Sequence, residues 1–187
     1  MLLSNKNIVI VGGTSGIGFS AASAFVNEGA NVIAIGRKPD RITKTQKILG
    51  NHGTAIQGNA ADSTTAQKGI QLAVDEYGSL HGLYHVAGGS GRGKGDGPLH
   101  KISDEGWDYT LSTNLDAIFY SNRAAIKQFL KQGDGGTILN MSSVLGFSPS
   151  SKYFATHAYA GTKAAVIGLT KSLASYYANQ NIRFNVI

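Results

Sequence analysis

The sequence predicts an α/β fold: a three-layer, doubly wound parallel sheet with strand order 3-2-1-4-5-6. Three observations predict it. Short apolar, strand-like runs alternate with helical stretches along the chain, which implies parallel strands joined by right-handed crossovers. The runs are short and mostly apolar, which fits strands covered on both faces. A glycine-rich turn directly follows the first of them and leads into a helix.

Taken in order, Asn7–Val11 reads as a buried strand and Gly16–Glu28 as a helix with Phe19, Ala22, Phe25 and Val26 on one face. Asn31–Ile35 is a second strand, followed by helical pattern over Arg41–Leu49. Thr54–Gln57 is the third strand, Ala66–Tyr77 a helix and Gly82–Val86 the fourth strand. A glycine-rich loop fills Ala87–Pro98, and Asp104–Gln132 forms one long helix or two joined ones. Thr137–Met141 is the fifth strand, Tyr159–Asn179 a helix and Ile182–Ile187 a sixth strand. No repeat of fixed period and no second domain are visible, so residues 1–187 form one domain.

Composition narrows the function. Apolar residues make up 42% and charged residues 15%, an ordinary globular balance. The formal charge is +6, but Lys and Arg are scattered; this reads as a mildly basic surface and not as a nucleic-acid footprint. The chain has no cysteine, which excludes disulfides, thiolate metal ligands and cysteine nucleophiles. No apolar run reaches the about 18 residues of a membrane span, and Met1–Lys6 is no signal peptide. A cytoplasmic protein is the expectation.

The turn reads Val11-Gly12-Gly13-Thr14-Ser15-Gly16-Ile17-Gly18. Such a loop lets backbone N–H groups face a pyrophosphate at a helix N-terminus, where the dipole favours negative charge. Gly12 permits the tight turn, Gly16 keeps a side chain off the phosphates and Gly18 lets helix and strand pack closely. The remaining members, Thr14, Ser15 and Ile17, belong to the same cradle.

This run resembles the T-G-x-x-x-G-I-G fingerprint of the short-chain dehydrogenase/reductase family, with Val11 for Thr. The resemblance implies a Rossmann fold and a nicotinamide dinucleotide. An acidic residue at the end of the second strand normally binds the ribose 2′-OH and selects NAD. Here Gly36 takes that place and Arg37 follows, with Lys38 and Arg41 nearby. A guanidinium suits a 2′-phosphate, so NADP is favoured over NAD. Asn59-Ala60 stands where the family often has Asp-Val beside the adenine, with Asp62 slightly beyond. His85-Val86-Ala87-Gly88 aligns with the family's N-N-A-G; Ala87 and Gly88 match, and His85 reads as a packed strand-end histidine.

Tyr159 and Lys163 are four apart on a helix and so share a face. They resemble the family's Y-x-x-x-K signature. A free tyrosine titrates near about 10, and a nearby ammonium favours the phenolate. Ile138–Gly146 resembles I-x-N-x-S-S-x-x-G; Ser143 maps onto the substrate-orienting serine, with Ser142 the alternative. Sixteen residues separate Ser143 from Tyr159, which implies a short insertion in the loop Phe147–His157. Tyr153 in that loop is a weaker rival because no Lys lies four residues on. Asn114, in Thr113–Ala117, resembles the family's N-x-x-G; the family uses that Asn to hold a relay water, while a helix-kink role competes with it.

The resemblance thus implies interconversion of a small-molecule carbonyl and its alcohol. Tyr159 is the general acid/base, Ser143 the oxyanion partner, Lys163 the tuning cation that also holds the nicotinamide ribose, and Asn114 the relay support. Family members continue past the sixth strand with a Pro-Gly turn, a substrate lid and a seventh strand. Their absence after Ile187 leads us to expect a truncated domain, a reduced lid and an apolar sheet edge open to pairing. A dinucleotide-binding module or a truncated form with little turnover is the alternative. A homo-oligomer, dimer or tetramer, is expected through helices 114–132 and 159–179. No metal and no nucleic acid are expected.

Overall fold

The computed structural model describes residues 1–150 and 152–187. Six parallel strands form one sheet in the order β3-β2-β1-β4-β5-β6. They are β1 (Asn7–Val11), β2 (Asn31–Gly36), β3 (Gly53–Gln57), β4 (Gly82–His85), β5 (Gly136–Asn140) and β6 (Ile182–Val186). The helices are α1 (Gly16–Asn27), α2 (Pro39–Leu49), α3 (Thr65–Tyr77), α4 (Asp104–Leu111), α5 (Ala117–Gln132) and α6 (His157–Tyr177). The expected three-layer, doubly wound architecture is present, and element boundaries differ from the sequence reading by one to two residues. Pro39 opens α2 at a position where its missing N–H is not needed. The helical stretch expected over Asp104–Gln132 is two helices joined by a π-helical turn, Ser112–Asp116.

Successive strand residues point to opposite faces, so one sheet builds two cores. Val9, Val11, Ile33, Ile35, Leu83, Ile138 and Phe184 pack with α3 and α5. Ile8, Ile10, Val32, Ala34 and Tyr84 pack with α1 and the end of α2. Beyond α1, the second face continues into a cavity of about 470 Å³ bordered by Phe25, Tyr84 and Leu139. A polar pin ties the layers near the sheet's C-terminal edge. Asn140 and Asn122 exchange amide hydrogen bonds of 2.9 and 3.0 Å, and Asn140 also donates to Thr170 Oγ1 at 3.1 Å. All three are buried, so each bond replaces a desolvation penalty of about 1–3 kcal/mol.

The order reverses between β1 and β4, and there the strands part. The Ile35 carbonyl accepts from both Gly12 and Gly13, while the Val11 carbonyl accepts from both Val86 and Ala87. Each carbonyl therefore anchors two successive amides, and the chain beyond β1 splays out to open a crevice at the switch point. Gly18 sits where α1 crosses this turn; a β-carbon there would overlap the Gly12 carbonyl oxygen. Gly18→Ala is therefore expected to destabilise the fold by more than about 2 kcal/mol, read as a fall of several degrees in the thermal unfolding midpoint.

Candidate active site

The crevice above β1 and β4 has a volume of about 390 Å³ and is lined by Gly12, Thr14, Ser15, Gly16, Ile17, Arg37, Asn59, Ala60, Ala87 and Gly88, among others. Ten of the residues named from the sequence as cofactor contacts thus share one cavity. Gly18 is not on its wall and acts through packing. Gly12 has φ +93°, and a side chain there would meet the Ala87 backbone. Gly16 has φ +52°, and a β-carbon there would find nothing within 4 Å, so this residue faces open space. Ser15 begins α1 without a side-chain cap. The first-turn N–H groups of α1 therefore lack a protein acceptor there and suit an anion. Ile17 is 62% exposed, an apolar side chain standing at the crevice mouth.

Gly36 has a steric reason to be glycine. A β-carbon there would overlap Thr14 Oγ1, so the loop and an acidic residue at this position exclude each other. The cations Arg37, Lys38 and Arg41 line the same end of the crevice. Asn59 turns inward on its own loop, accepting from the Ala61 N–H at 3.3 Å. Asp62 is absent from the crevice wall; it accepts from the Thr64 N–H and hydroxyl, which hold its carboxyl below the usual value.

The catalytic candidates gather at the other end. Tyr159 and Ser143 line a second cavity, also about 390 Å³, with Ser90, Arg92, Val144, Leu145, Phe154 and Thr156. Lys163 lies beneath, 2% exposed. Its Nζ is 5.6 Å from the Tyr159 ring centroid and donates to the Met141 carbonyl at 2.8 Å. Burial pushes the Lys163 ammonium down to about 8. Ser142 donates its hydroxyl to the Lys163 carbonyl at 2.8 Å and is thereby committed to the helix. Ser143 keeps its hydroxyl at the cavity and accepts from the Leu145 N–H at 3.2 Å. Tyr153 is 64% exposed, and its phenol is not on the cavity wall.

Asn114 occupies the π-helical turn and is fully buried. Its amide donates to the Thr110 and Gly89 carbonyls at 2.9 Å each and accepts from the Gly89 N–H at 3.1 Å. It clamps the glycine-rich loop to the helix. A side chain on Gly88 would approach Asn114 Oδ1 to 2.7 Å and Lys163 Nζ to 3.4 Å, so both atoms flank the same backbone point. Asn114 and Lys163 stand behind the dinucleotide crevice and not on its wall. The loop Phe147–His157, expected to carry an insertion, includes Ser151, which lies outside the described residues.

Sequence reading missed one group. Asp96, 6% exposed, accepts from the N–H groups of Ala158 at 3.1 Å and Tyr159 at 3.0 Å. It caps the first turn of α6, where no side chain of the helix's own N-terminal flank does so. Its partners are 62 and 63 residues away in sequence, so no local pattern announces it.

The sequence model of the family described as short chain dehydrogenase matches residues 6–187. A 3-oxoacyl-[acyl-carrier-protein] reductase FabG of Staphylococcus aureus is 34% identical over 188 residues, covering 97% of this chain and 72% of that protein. A 3beta-hydroxysteroid dehydrogenase 2 of Eggerthella lenta is 28% identical over 189 residues, covering 100% of this chain and 70% of its own length. A short-chain dehydrogenase of Mycobacterium smegmatis superposes with a TM-score of 0.88 at 27% identity, over 99% of this chain and 76% of that one. The chain spans 65% to 72% of the length of such curated relatives.

His85 ends β4 with its ring wholly buried; Nδ1 lies 2.7 Å from Ser121 Oγ and Nε2 has no partner among the described residues. Burial, and then the charge of Lys163, push it down to about 3. The folded value lies below the unfolded one. Its contribution is therefore intact above about pH 6.5 and is lost as pH falls toward 3. Replacing it by His85→Asn removes this linkage. Between pH 7 and 4.5 the wild type is expected to lose about 2–3 kcal/mol more unfolding free energy than the variant, measured by urea denaturation.

Proposed function

Because this chain belongs to the short-chain dehydrogenase family, we propose that it is an NAD(P)-dependent oxidoreductase interconverting a carbonyl and an alcohol, with Tyr159 as general acid/base. One observation carries the reading: Tyr159 and Ser143 share a cavity, with the Lys163 ammonium buried 5.6 Å from the phenol ring. The names of the relatives, a 3-oxoacyl reductase and a hydroxysteroid dehydrogenase, agree with this reaction class. The crevice fits a dinucleotide: uncapped N–H groups at α1, an open Gly16 and a cationic far end.

When bound, the nicotinamide supplies or accepts the hydride. Gly12–Ile17 hold the pyrophosphate, and Asn59 and Ala60 border the adenine. Arg37 pairs with a 2′-phosphate, where Gly36 leaves no acid to repel it. Ala87 and Gly88 border the nicotinamide half. Ser143 donates its hydroxyl to the carbonyl oxygen and stabilises the charge that develops there. Tyr159 gives its proton to that oxygen in reduction and takes it back in oxidation. Lys163, positive and shielded from water, favours the deprotonated phenol and, with its Nζ next to Gly88 behind the crevice, would hold the nicotinamide ribose as the family's lysine does. Asn114, beside the same glycine as Lys163 Nζ, supports proton exchange with solvent. A dinucleotide-binding module with little turnover is the competing reading. A homo-oligomer, dimer or tetramer, forms through helices 114–132 and 159–179, whose outer faces expose Phe119, Leu130 and Tyr176.

Calorimetric titration is expected to show NADPH binding at least about tenfold more tightly than NADH, with the gap closed in Arg37→Ala by loss of a charge-assisted pair. In carbonyl reduction, Tyr159→Phe is expected to lower kcat at least about 100-fold without weakening NADPH binding. As pH rises through about 8, Lys163 loses its proton and its support for the phenolate; kcat/KM falls on that limb. Binding of NADPH without turnover of any carbonyl selects the module instead. Light scattering on the protein at micromolar concentration is expected to give a dimer or tetramer; a monomer alone rejects the helix interface.

A further inference from the structure

We propose that the carbonyl substrate carries an anionic group, and that Arg92 is the residue that selects it. The inference rests on the oxidoreductase reading above and names the substrate class for the same cavity.

The cavity holding Tyr159 and Ser143 has apolar walls at Val144, Leu145 and Phe154 and one charged side chain, Arg92. Among the described residues, no Asp or Glu lines it. Nor does one line the adjoining cavity that shares Ser90 and Arg92 and adds Arg37 and Lys94, nor the dinucleotide crevice. The charged side chains lining these cavities are thus all cationic, while the buried Asp96 carboxylate is engaged by the α6 N–H groups, so the walls draw anions and raise their local concentration. A dinucleotide accounts for Arg37, Lys38 and Arg41 at the far end. It does not account for a guanidinium beside the hydroxyls that receive the substrate carbonyl.

Arg92 is held in place. Its Nη2 donates to the Tyr153 carbonyl at 2.8 Å, and its Cζ lies 5.6 Å from the Phe154 ring centroid. A guanidinium has five N–H donors in a rigid fork, so a carbonyl on one nitrogen leaves donors for a second, negative partner. That one bond goes to a neutral oxygen, and among the described residues no carboxylate shares the cavity wall with it.

The supporting loop is tied to the helix that carries Tyr159. Gly91, buried with φ +68°, packs where a side chain would overlap Thr110 Oγ1. Asp96 binds the Ala158 and Tyr159 N–H groups, the Gly97 carbonyl accepts from the His157 N–H at 3.3 Å, and the Leu99 N–H donates to His157 Nδ1 at 3.1 Å. The loop bearing Arg92 is thus fastened to the first turn of α6, the turn that carries Tyr159. Selecting group and acid/base are thereby carried on segments tied to each other, which is what discrimination by geometry requires.

The test compares a 3-oxo carboxylate with its methyl ester, matched in carbon skeleton, using NADPH and the full chain. The wild type is expected to favour the carboxylate by about tenfold or more in kcat/KM, the scale of a charge-assisted hydrogen bond. In Arg92→Met that ratio falls to near one through KM. Arg92→Lys, which keeps the charge and loses the fork, retains part of it; this rescue separates selection from a general loosening of the loop. Titration of the acid and the ester into the protein–NADP complex reads the same preference without turnover. Equal treatment of the two probes by the wild type, in turnover and in binding, overturns the proposal. So does an unchanged ratio in Arg92→Met, or a tenfold loss of NADPH affinity there, which would assign Arg92 to the cofactor. Preferential binding of the acid with no turnover of either probe supports the proposal and instead counts against the oxidoreductase reading.

Discussion

The site depends on keeping one ammonium out of water. Lys163 is fastened at both ends: Nζ donates to the Met141 carbonyl, and its own carbonyl accepts from Ser142. These two bonds link the end of β5 to α6 by residues adjacent in sequence. A buried amine without such partners would give up its proton or unfold its surroundings. With them, the charge persists near neutrality and the helix cannot rotate about its axis. Gly146 allows the close approach, since a side chain there would meet the Lys163 backbone at 2.9 Å. Tyr159, one turn earlier on the same helix, inherits its position.

The opposite end of the crevice follows from the sheet itself. Two carbonyls each anchor two amides and force the chain to diverge on either side of β1. That divergence is a property of strand order, and it makes room for a ligand before any side chain contributes. Side chains then refine it. Thr14 fills the space above Gly36, so removal of the acid at the end of β2 and the shape of the phosphate loop are one packing decision. The cations that follow β2 meet no competing carboxylate on the crevice wall.

Most of this was legible in the sequence because it depends on local pattern. Parallel strands follow from alternation and apolar runs, their order from the match of six such strands to the doubly wound dinucleotide fold, and the crevice from glycine spacing at a strand–helix junction. Helical periodicity puts Tyr159 and Lys163 on one face, and their role comes from the resemblance to the family's Y-x-x-x-K signature. Other features were not legible because their partners are distant. Asp96 caps a helix more than sixty residues away, and Arg92 reaches the cavity only because its loop is fastened there. The choice between Ser142 and Ser143 needed the direction of each hydroxyl. Of the two readings of Asn114, the structure bears out the kink residue: it occupies the irregular turn, and its amide is engaged by the loop beside Lys163.

That irregular turn is an added residue in an otherwise continuous helix. Its wider winding takes up the extra position locally, so α4 keeps its facing relative to α5, and Ser103, Gly106 and Thr110 meet the glycine-rich loop. The local wide winding acts as a phase adjuster. It lets one half of the rod answer to the sheet and the other half to the loop above it.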